Sequence, residues 1–146
     1  MDFQVALSPR GLPAENIFRS AVCAAIAGQR ERASLTMRVV ARAESRKLNQ
    51  QFRNVDAPTN VLSFEAQGLE ELLPDYIGDV VICAPVARAE SDAQGKSCGA
   101  HISHLVVHGV LHLLGFDHID DHEAEIMEAR ERAILSGLGI ANPYQP

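Results

Sequence analysis

The most restrictive feature of this sequence is the distribution of its histidines. All six lie within 22 consecutive residues, and the stretch from His108 to His118 reads HGVLHLLGFDH. Two histidines four residues apart on a helix lie on one face, one turn apart. Gly115 can take the left-handed backbone conformation that reverses a chain sharply, which can return His118 to the same point. The spacing therefore predicts a helix and a tight turn that bring His108, His112 and His118 together.

Three converging imidazoles predict a metal site. They can hold one Zn²⁺ ion and leave a fourth position for water, which is typical of catalytic rather than structural zinc. Cys23, Cys83 and Cys98 form no CxxC pair, so no thiolate site competes with the histidines. Widely spaced cysteines, with no secretory leader and no apolar run long enough to span a bilayer, predict reduced thiols in a cytoplasmic protein.

The polar residues beside the three histidines leave alternatives open. His101 and His104 lie near the same helical stripe, and they could extend the site, bind substrate or be ordinary polar residues. Asp117 could accept the second ring proton of His118, or it could be a solvated or capping carboxylate. His122 has no predicted role.

Hydrophobic periodicity predicts a single α+β domain over residues 1–146, with a central mixed sheet packed by helices. The predicted order is βαβαββααα, and the metal site lies on a helix of the C-terminal half. Strands are predicted at 3–7, 34–41, 60–65 and 79–84, an acidic loop at 66–77, and helices over 17–26, 44–53, 85–95, 98–114 and about 120–138.

Helical spacing also predicts which side chains are buried. In the helix over 44–53, Leu48 and Phe52 are four residues apart and are expected to face the core. In the last helix, Met127, Ile134 and Leu138 are expected to share one apolar face.

The histidine pattern is similar to the HExxHxxGxxH zinc signature of metzincin peptidases, with one difference. Gly109 stands where those enzymes have the glutamate that acts as general base. Glycine cannot transfer a proton, so a zinc peptidase would lack its base here while keeping its metal ligands.

Three motifs together resemble the YbeY family of bacterial endoribonucleases and ribosome-maturation factors. The first is HGxLHLxGxDH, matched from His108 to His118. The second is Phe52-Arg53 followed by PTNVLSF over 58–64, and the third is GDVVIC over 78–83. The motifs occur in the family's order, and the resemblance covers most of the chain.

This resemblance implies a metzincin-like fold with one zinc ion, held by His108, His112 and His118, in a cleft between the histidine helix and the sheet. It implies a single-strand-specific endoribonuclease that matures the 3′ terminus of small-subunit ribosomal RNA and acts in late-stage 70S ribosome quality control. The implied partners are ribosomal RNA and the small subunit or its assembly factors, with no DNA and no membrane. The family's functional arginine corresponds to Arg53, and a guanidinium can bind phosphate oxygens in bidentate fashion. Arg53 and His108 are therefore the expected catalytic residues.

The general base and two alternative functions stay open at this point. His104, Asp117, a metal-bound hydroxide or the 2′-hydroxyl of the substrate could each serve as base or nucleophile. A zinc-dependent peptidase-like hydrolase and a non-catalytic ribosome assembly factor with structural zinc are the alternatives. Thr59, Asn60 and Ser63 could offer hydrogen bonds to the substrate backbone.

The charge distribution refines the expectation of RNA binding. The net charge of −6 argues against a nucleic-acid binder when it is averaged over the chain. However, residues 1–53 carry +5 and residues 54–146 carry −11, and five basic residues lie within 38–53. A zinc ion held by neutral histidines would add two positive charges. We therefore expect a locally positive cleft with modest, salt-sensitive RNA affinity.

Overall fold

The periodic apolar segments form a mixed four-stranded sheet with five helices, in the predicted order βαβαββααα. The structure is a computed structural model, and it describes residues 1–145. The elements are β1 (Asp2–Ala6), α1 (Glu15–Ile26), β2 (Ser34–Val40), α2 (Arg42–Arg53), β3 (Val61–Glu65), β4 (Tyr76–Cys83), α3 (Ala84–Gln94), α4 (Cys98–Leu113) and α5 (Asp121–Gly137). The predicted α+β class is thus confirmed.

The sheet has the strand order β1-β2-β4-β3. β1, β2 and β4 are parallel, and β3 runs antiparallel to β4 at one edge. Val80, Val81 and Ile82 of the inner strand β4 are at most 5% exposed, as a strand covered on both faces requires. The antiparallel edge strand β3 lies beside α4, which carries most of the histidines.

β4 begins at Tyr76, so the predicted loop over 66–77 is too long at its C-terminal end. Tyr76 pairs with Ser34 of β2, and its hydroxyl lies 2.8 Å from the Thr36 hydroxyl. Next to this pair the register shifts, and Gly78 takes a φ of 138°. At an irregular strand start that contains a glycine, apolar and polar residues do not alternate, so the sequence resembles that of a loop.

Helices cover both faces of the sheet. The main core lies between the sheet and helices α1, α4 and α5, and ten of the 16 residues of α4 are buried. A smaller apolar cluster on the other face contains Val40, Leu62, Val81 and Cys83. Within residues 1–145, no helix combines the length and the apolar character needed to cross a bilayer.

The prediction that Phe52 of α2 faces the core is wrong, because Phe52 is 52% exposed. Leu48 is partly buried against the smaller cluster, and the buried residues of α2 are Ser45 and Asn49. The Ser45 hydroxyl bonds the backbone of Thr59, and the Asn49 amide donates to the Ala57 carbonyl at 2.8 Å. α2 packs on a loop whose backbone groups need hydrogen-bond partners, so polar residues occupy its inner face.

The predicted apolar face of α5 is confirmed, with one addition. Met127 is buried, and Ile134 and Leu138 pack against the main core. The same face carries Glu131, which is 0% exposed.

Candidate metal centre and substrate cleft

α4 holds His108 and His112 on one face, as their spacing predicts. Its first turn is capped by Ser97, whose hydroxyl accepts a hydrogen bond from the Ala100 amide at 3.1 Å. The His108 and His112 ring centroids are 4.6 Å apart, and their Nε2 atoms are 3.1 Å apart. Two nitrogens on one tetrahedral zinc ion are separated by roughly 3.4 Å, so this pair has the spacing of shared ligands.

A tight turn then brings His118 to the pair. α4 ends at Leu113, and Gly115 follows with a φ of +100°. The Phe116 amide donates to the Leu111 carbonyl at 3.0 Å, which closes the turn. The His118 ring lies 5.4 Å from the His108 ring and 5.0 Å from the His112 ring. One ring nitrogen from each of the three histidines lies within 4.8 Å of the others, so the group could hold a metal ion.

Glu131 of α5 is a functional residue that the sequence analysis missed. Its Oε1 lies 2.6 Å from Nδ1 of His108, and its Oε2 lies 2.8 Å from Nε2 of His104. The Tyr144 hydroxyl also donates to Oε2. A carboxylate only accepts hydrogen bonds, so His108 carries its proton on Nδ1 and keeps the Nε2 lone pair for a metal.

The charge of Glu131 is maintained inside the protein by these donors. Burial alone would raise its pKa, but hydrogen bonds from His104, His108 and Tyr144 outweigh burial and lower the pKa to about 2. Burial and the neighbouring Glu131 carboxylate raise the pKa of Tyr144, which keeps its hydroxyl protonated as a donor. The network therefore contains an ionised acceptor and defined donors at neutral pH.

The electrostatics around His112 also suit a metal ligand. Burial first, and then the neighbouring His108 and His118, lower the pKa of His112. A lowered pKa keeps the imidazole neutral near neutral pH, which is the form that binds metal. The donor set and its protonation states thus fit a zinc ion.

The remaining histidines are outside the three-histidine group. His101 is 5% exposed, and its Nε2 lies 2.9 Å from Oε1 of Glu90. The His104 ring lies 6.3 Å from the His108 ring and is joined to it by Glu131, and its Nδ1 is buried with no hydrogen-bond partner among residues 1–145. His122, for which no role was predicted, lies at the exposed start of α5.

Asp117 stabilises the turn rather than an imidazole ring. Its Oδ1 accepts a hydrogen bond from the backbone amide of His118 at 2.8 Å. Of the two alternatives for Asp117, a bond to the His118 ring or a solvated or capping carboxylate, the structure shows no ring bond and instead this local bond within the turn. Among the described residues, no hydrogen bond reaches Oδ2 of Asp117.

Gly109 is required by packing. A Cβ at this position would lie 2.9 Å from Cγ1 of Val80, 3.1 Å from Oγ of Ser63 and 3.2 Å from Cγ2 of Val61. Position 109 therefore faces strands β3 and β4, and no room exists there for the glutamate of a metzincin peptidase. The packing thus explains why the general base of a metzincin peptidase is absent, which counts against the peptidase alternative.

Arg53 and two of the three histidines line one cavity of about 750 Å³, which we call the cleft. Its walls include Phe52, Arg53, Phe64, His112, Phe116 and His118. Arg53 ends α2, and its Nη2 donates to the Ser63 carbonyl at 2.8 Å. Its guanidinium carbon also lies 5.4 Å from the centre of the Phe64 ring. These two contacts hold Arg53 beside the histidines.

The cleft is less positive than the basic segment 38–53 suggests. Arg38 pairs with Glu44, with 2.9 Å between Nη2 and Oε1, and Arg46 pairs with Asp56 at 2.6 Å. Of the lysines and arginines in residues 1–145, only Arg53 lines the cleft. Two carboxylates, those of Glu65 and Asp117, line it as well. The side chains of the protein therefore do not make the cleft positive by themselves, and the expected positive charge depends on a bound zinc ion.

Of the three polar side chains that could contact substrate, those of Ser63 and Asn60 are engaged within the protein. The Ser63 hydroxyl donates to the Gly109 carbonyl at 2.8 Å, which ties β3 to α4. The Asn60 side chain accepts from the Val61 amide at 2.7 Å and donates to Glu90 at 3.1 Å. The Thr59 backbone bonds Ser45.

The chain is similar to known proteins of one family. The family model described as "Endoribonuclease YbeY" matches residues 13–139. A protein named endoribonuclease YbeY from Alkalilimnicola ehrlichii is 56% identical over 140 residues, covering 92% of this chain and 84% of its own length. A protein of the same name from Stenotrophomonas maltophilia is 54% identical over 144 residues, covering 95% and 89%.

A solved structure is also similar. The solution structure of TM1509 from Thermotoga maritima matches with a TM-score of 0.60, at 20% identity and over 100% of each chain. At this identity the likeness concerns the fold. The family match, the close relatives and the HGxLHLxGxDH motif together establish that this chain belongs to the endoribonuclease YbeY family.

Proposed function

We propose that this chain is a single-domain, zinc-dependent endoribonuclease that cleaves single-stranded RNA. The observation that carries the proposal is that Arg53 and the three-histidine group meet at one cleft. Membership of the endoribonuclease YbeY family gives the reaction, because the related proteins bear that name. Its fold is proposed to be metzincin-like in placing the ligands on a helix and the following turn.

His108, His112 and His118 would hold one zinc ion. When bound, zinc is a Lewis acid that polarises a phosphoryl oxygen and acidifies water at neutral pH. Glu131 fixes the tautomer and orientation of His108, so the ligand is prepared before the metal arrives. His108 would thus contribute to catalysis as a metal ligand.

Arg53 would bind the phosphate whose ester bond is cleaved. Cleavage increases the negative charge on the phosphoryl oxygens, and a guanidinium can match two of them at once. The contacts of Arg53 with the Ser63 carbonyl and the Phe64 ring restrict its conformations. Less conformational freedom is then lost when the phosphate binds.

Asp117 is the proposed proton acceptor. Of the two side chains considered from sequence, His104 is engaged with Glu131, whereas Asp117 lines the cleft. Its Oδ1 is held by the His118 amide, which fixes the carboxylate beside a metal ligand. Oδ2 would take the proton from the attacking oxygen.

We propose that the physiological substrate is ribosomal RNA, with maturation of the small-subunit 3′ terminus and late-stage 70S quality control as the processes served. The small ribosomal subunit or its assembly factors would then be the partners, in the cytoplasm. Only one arginine lines the cleft, so few phosphates are contacted and site selection would come from the ribosomal setting.

The test is a cleavage assay on a single-stranded RNA with zinc-quantified wild type, Arg53→Ala and Arg53→Lys. We expect both variants to bind one zinc per chain and to lose at least about 100-fold in cleavage rate, because lysine cannot form the bidentate contact. Arg42→Ala is a matched control on the same helix, outside the cleft lining, and it should cleave like the wild type.

Two results would contradict the proposal. One is wild-type cleavage rates in a folded, zinc-loaded Arg53→Ala protein. The other is normal ribosomal RNA maturation in cells that carry only Arg53→Ala, which would favour the assembly-factor alternative.

A further inference from the structure

Three of the five phenylalanines line the cleft, although most of its other lining residues are polar. The other two, Phe3 and Phe18, pack against each other in the core with their ring centroids 5.0 Å apart. Phe52, Phe64 and Phe116 instead border the space beside Arg53 and the histidines. Phe52 is 52% exposed, the largest exposure among the three. The folding of the chain does not require an aromatic ring to be exposed there.

The Phe52 ring is held in a defined relation to Arg53. It packs against Phe64 edge to face, with centroids 5.1 Å apart and an interplanar angle of 61°. Phe64 also contacts the Arg53 guanidinium, 5.4 Å from its ring centre. One ring thus positions both a phosphate-binding group and an exposed aromatic surface.

The cleft has few positive charges to bind phosphates, so another contact has to contribute to RNA affinity. One arginine is balanced by the carboxylates of Glu65 and Asp117. Electrostatic attraction to phosphates supplies most non-specific nucleic-acid binding, and here only Arg53 and a bound zinc ion would supply it. Aromatic side chains supply the other general contribution, because a base that is free of a duplex can stack on them.

We propose that Phe52 is a stacking platform for one unpaired nucleobase, next to the phosphate that Arg53 binds. This subsite rests on the proposed endoribonuclease function and assigns the part of the substrate that lies beside the reacting phosphate. It also explains a preference for single strands, since the bases of a duplex are already stacked on each other. Any base can stack on an aromatic ring, so the platform contributes affinity without sequence specificity.

The experiment combines a protein change with a substrate change. A short single-stranded RNA is compared with a series of RNAs that each carry one abasic ribonucleotide, at a different position in each member of the series. Dissociation constants and kcat/KM are measured for zinc-loaded wild type and Phe52→Ala. Zinc content and urea midpoints confirm that each variant is loaded and folded.

For the wild type, we expect one abasic position to weaken binding by about 5-fold to about 100-fold, which is the usual range for losing one base–aromatic stack. In Phe52→Ala the same abasic position should cost nothing further, because the two changes remove the same contact. Phe52→Trp should retain the wild-type pattern, and Phe52→Leu should behave like Phe52→Ala. Leu72→Ala removes an 80% exposed apolar side chain outside the cleft lining and should match the wild type.

Independent penalties, in which the abasic and Phe52→Ala losses multiply at every position, would overturn the platform. So would full wild-type binding by Phe52→Ala. The binding arm separates this proposal from the proposed function. If zinc-loaded wild type binds the RNAs with the coupled pattern but never cleaves, the platform stands and the nuclease proposal fails.

Discussion

Replacement of Glu131 by glutamine tests the buried network that orients the metal ligands. The change keeps the side-chain volume and removes the charge. The Glu131 side chain is 1% exposed and accepts hydrogen bonds from His108, His104 and Tyr144. Glutamine has one accepting oxygen and one donating amide group, so it cannot accept from both sides of the network.

The expected loss of stability follows from the pKa of Glu131. Its folded value of about 2 lies below its ordinary value of 4.5, and this difference corresponds to about 3 kcal/mol in favour of folding. Because the pKa is lowered on folding, the stabilisation is complete above pH 4.5 and is lost as the pH falls toward about 2. At pH 3.5 about 1 kcal/mol of it should already be lost.

The assay is urea unfolding of metal-free wild type and Glu131→Gln, followed by circular dichroism at several pH values. At pH 7 the variant should be less stable by about 3 kcal/mol, and at pH 3.5 this gap should be about 1 kcal/mol smaller. Zinc affinity measured separately at pH 7 should fall by about 10-fold to 100-fold, because the tautomer of His108 is no longer enforced. Glu125→Gln, an exposed change on the same helix, should stay within about 0.5 kcal/mol of the wild type.

A stability gap that is equal at pH 7 and pH 3.5 would refute the reasoning, because the charge of Glu131 would then contribute nothing to folding. The same holds for a Glu131→Gln protein that is as stable as the wild type and binds zinc equally well.

Three further predictions concern α4, the turn after it and α5. Gly109→Ala should reduce the free energy of unfolding by about 1–3 kcal/mol through overpacking against β3 and β4, and a stabilised variant would contradict the packing argument. The control Gly99→Ala, whose added Cβ meets nothing within 4 Å, should be neutral or stabilising by up to about 1 kcal/mol. Asp117→Asn should retain one zinc per chain and lose at least about 100-fold in RNA cleavage, and unchanged cleavage would remove Asp117 as proton acceptor. Asp120→Ala removes the N-cap of α5, whose Oδ1 accepts from the Glu123 amide at 2.7 Å, and it should cost about 1 kcal/mol in urea unfolding, with no change disproving the cap.

Features that depend on neighbouring residues could be predicted from the sequence. The spacing of His108 and His112, the left-handed Gly115 and the Ser97 cap each follow from the geometry of one helix and its ends. The order of strands and helices along the chain also follows from local periodicity. These predictions succeed because the relevant atoms are only a few residues apart.

Features that depend on packing between elements could not be predicted in this way. Glu131 lies 23 residues from His108 along the chain and reaches it only because α5 packs on α4. The exposure of Phe52 depends on the loop that α2 covers. The role of Gly109 as a packing residue, rather than a lost catalytic position, becomes visible only when β3 and β4 lie against it.

The charge of the cleft is a similar case. A count of basic residues over 38–53 predicts a positive surface, but Arg38 and Arg46 are paired with Glu44 and Asp56. Glu44 is only six residues from Arg38, yet the sequence does not show which basic residues will find partners. Among residues 1–145, Arg53 keeps its positive charge unpaired in the cleft, because it contacts a backbone carbonyl and an aromatic ring instead of a carboxylate.

The most direct test of the account is a zinc titration of RNA cleavage. Metal-free wild type and His112→Ala receive increasing zinc, and the initial rate on a single-stranded RNA is followed together with bound zinc. The account predicts that wild-type activity rises with bound zinc and saturates at one ion per chain, while His112→Ala binds zinc weakly and stays inactive. Full cleavage by the metal-free wild type, or by His112→Ala, would contradict the claim that the three histidines form the catalytic metal site.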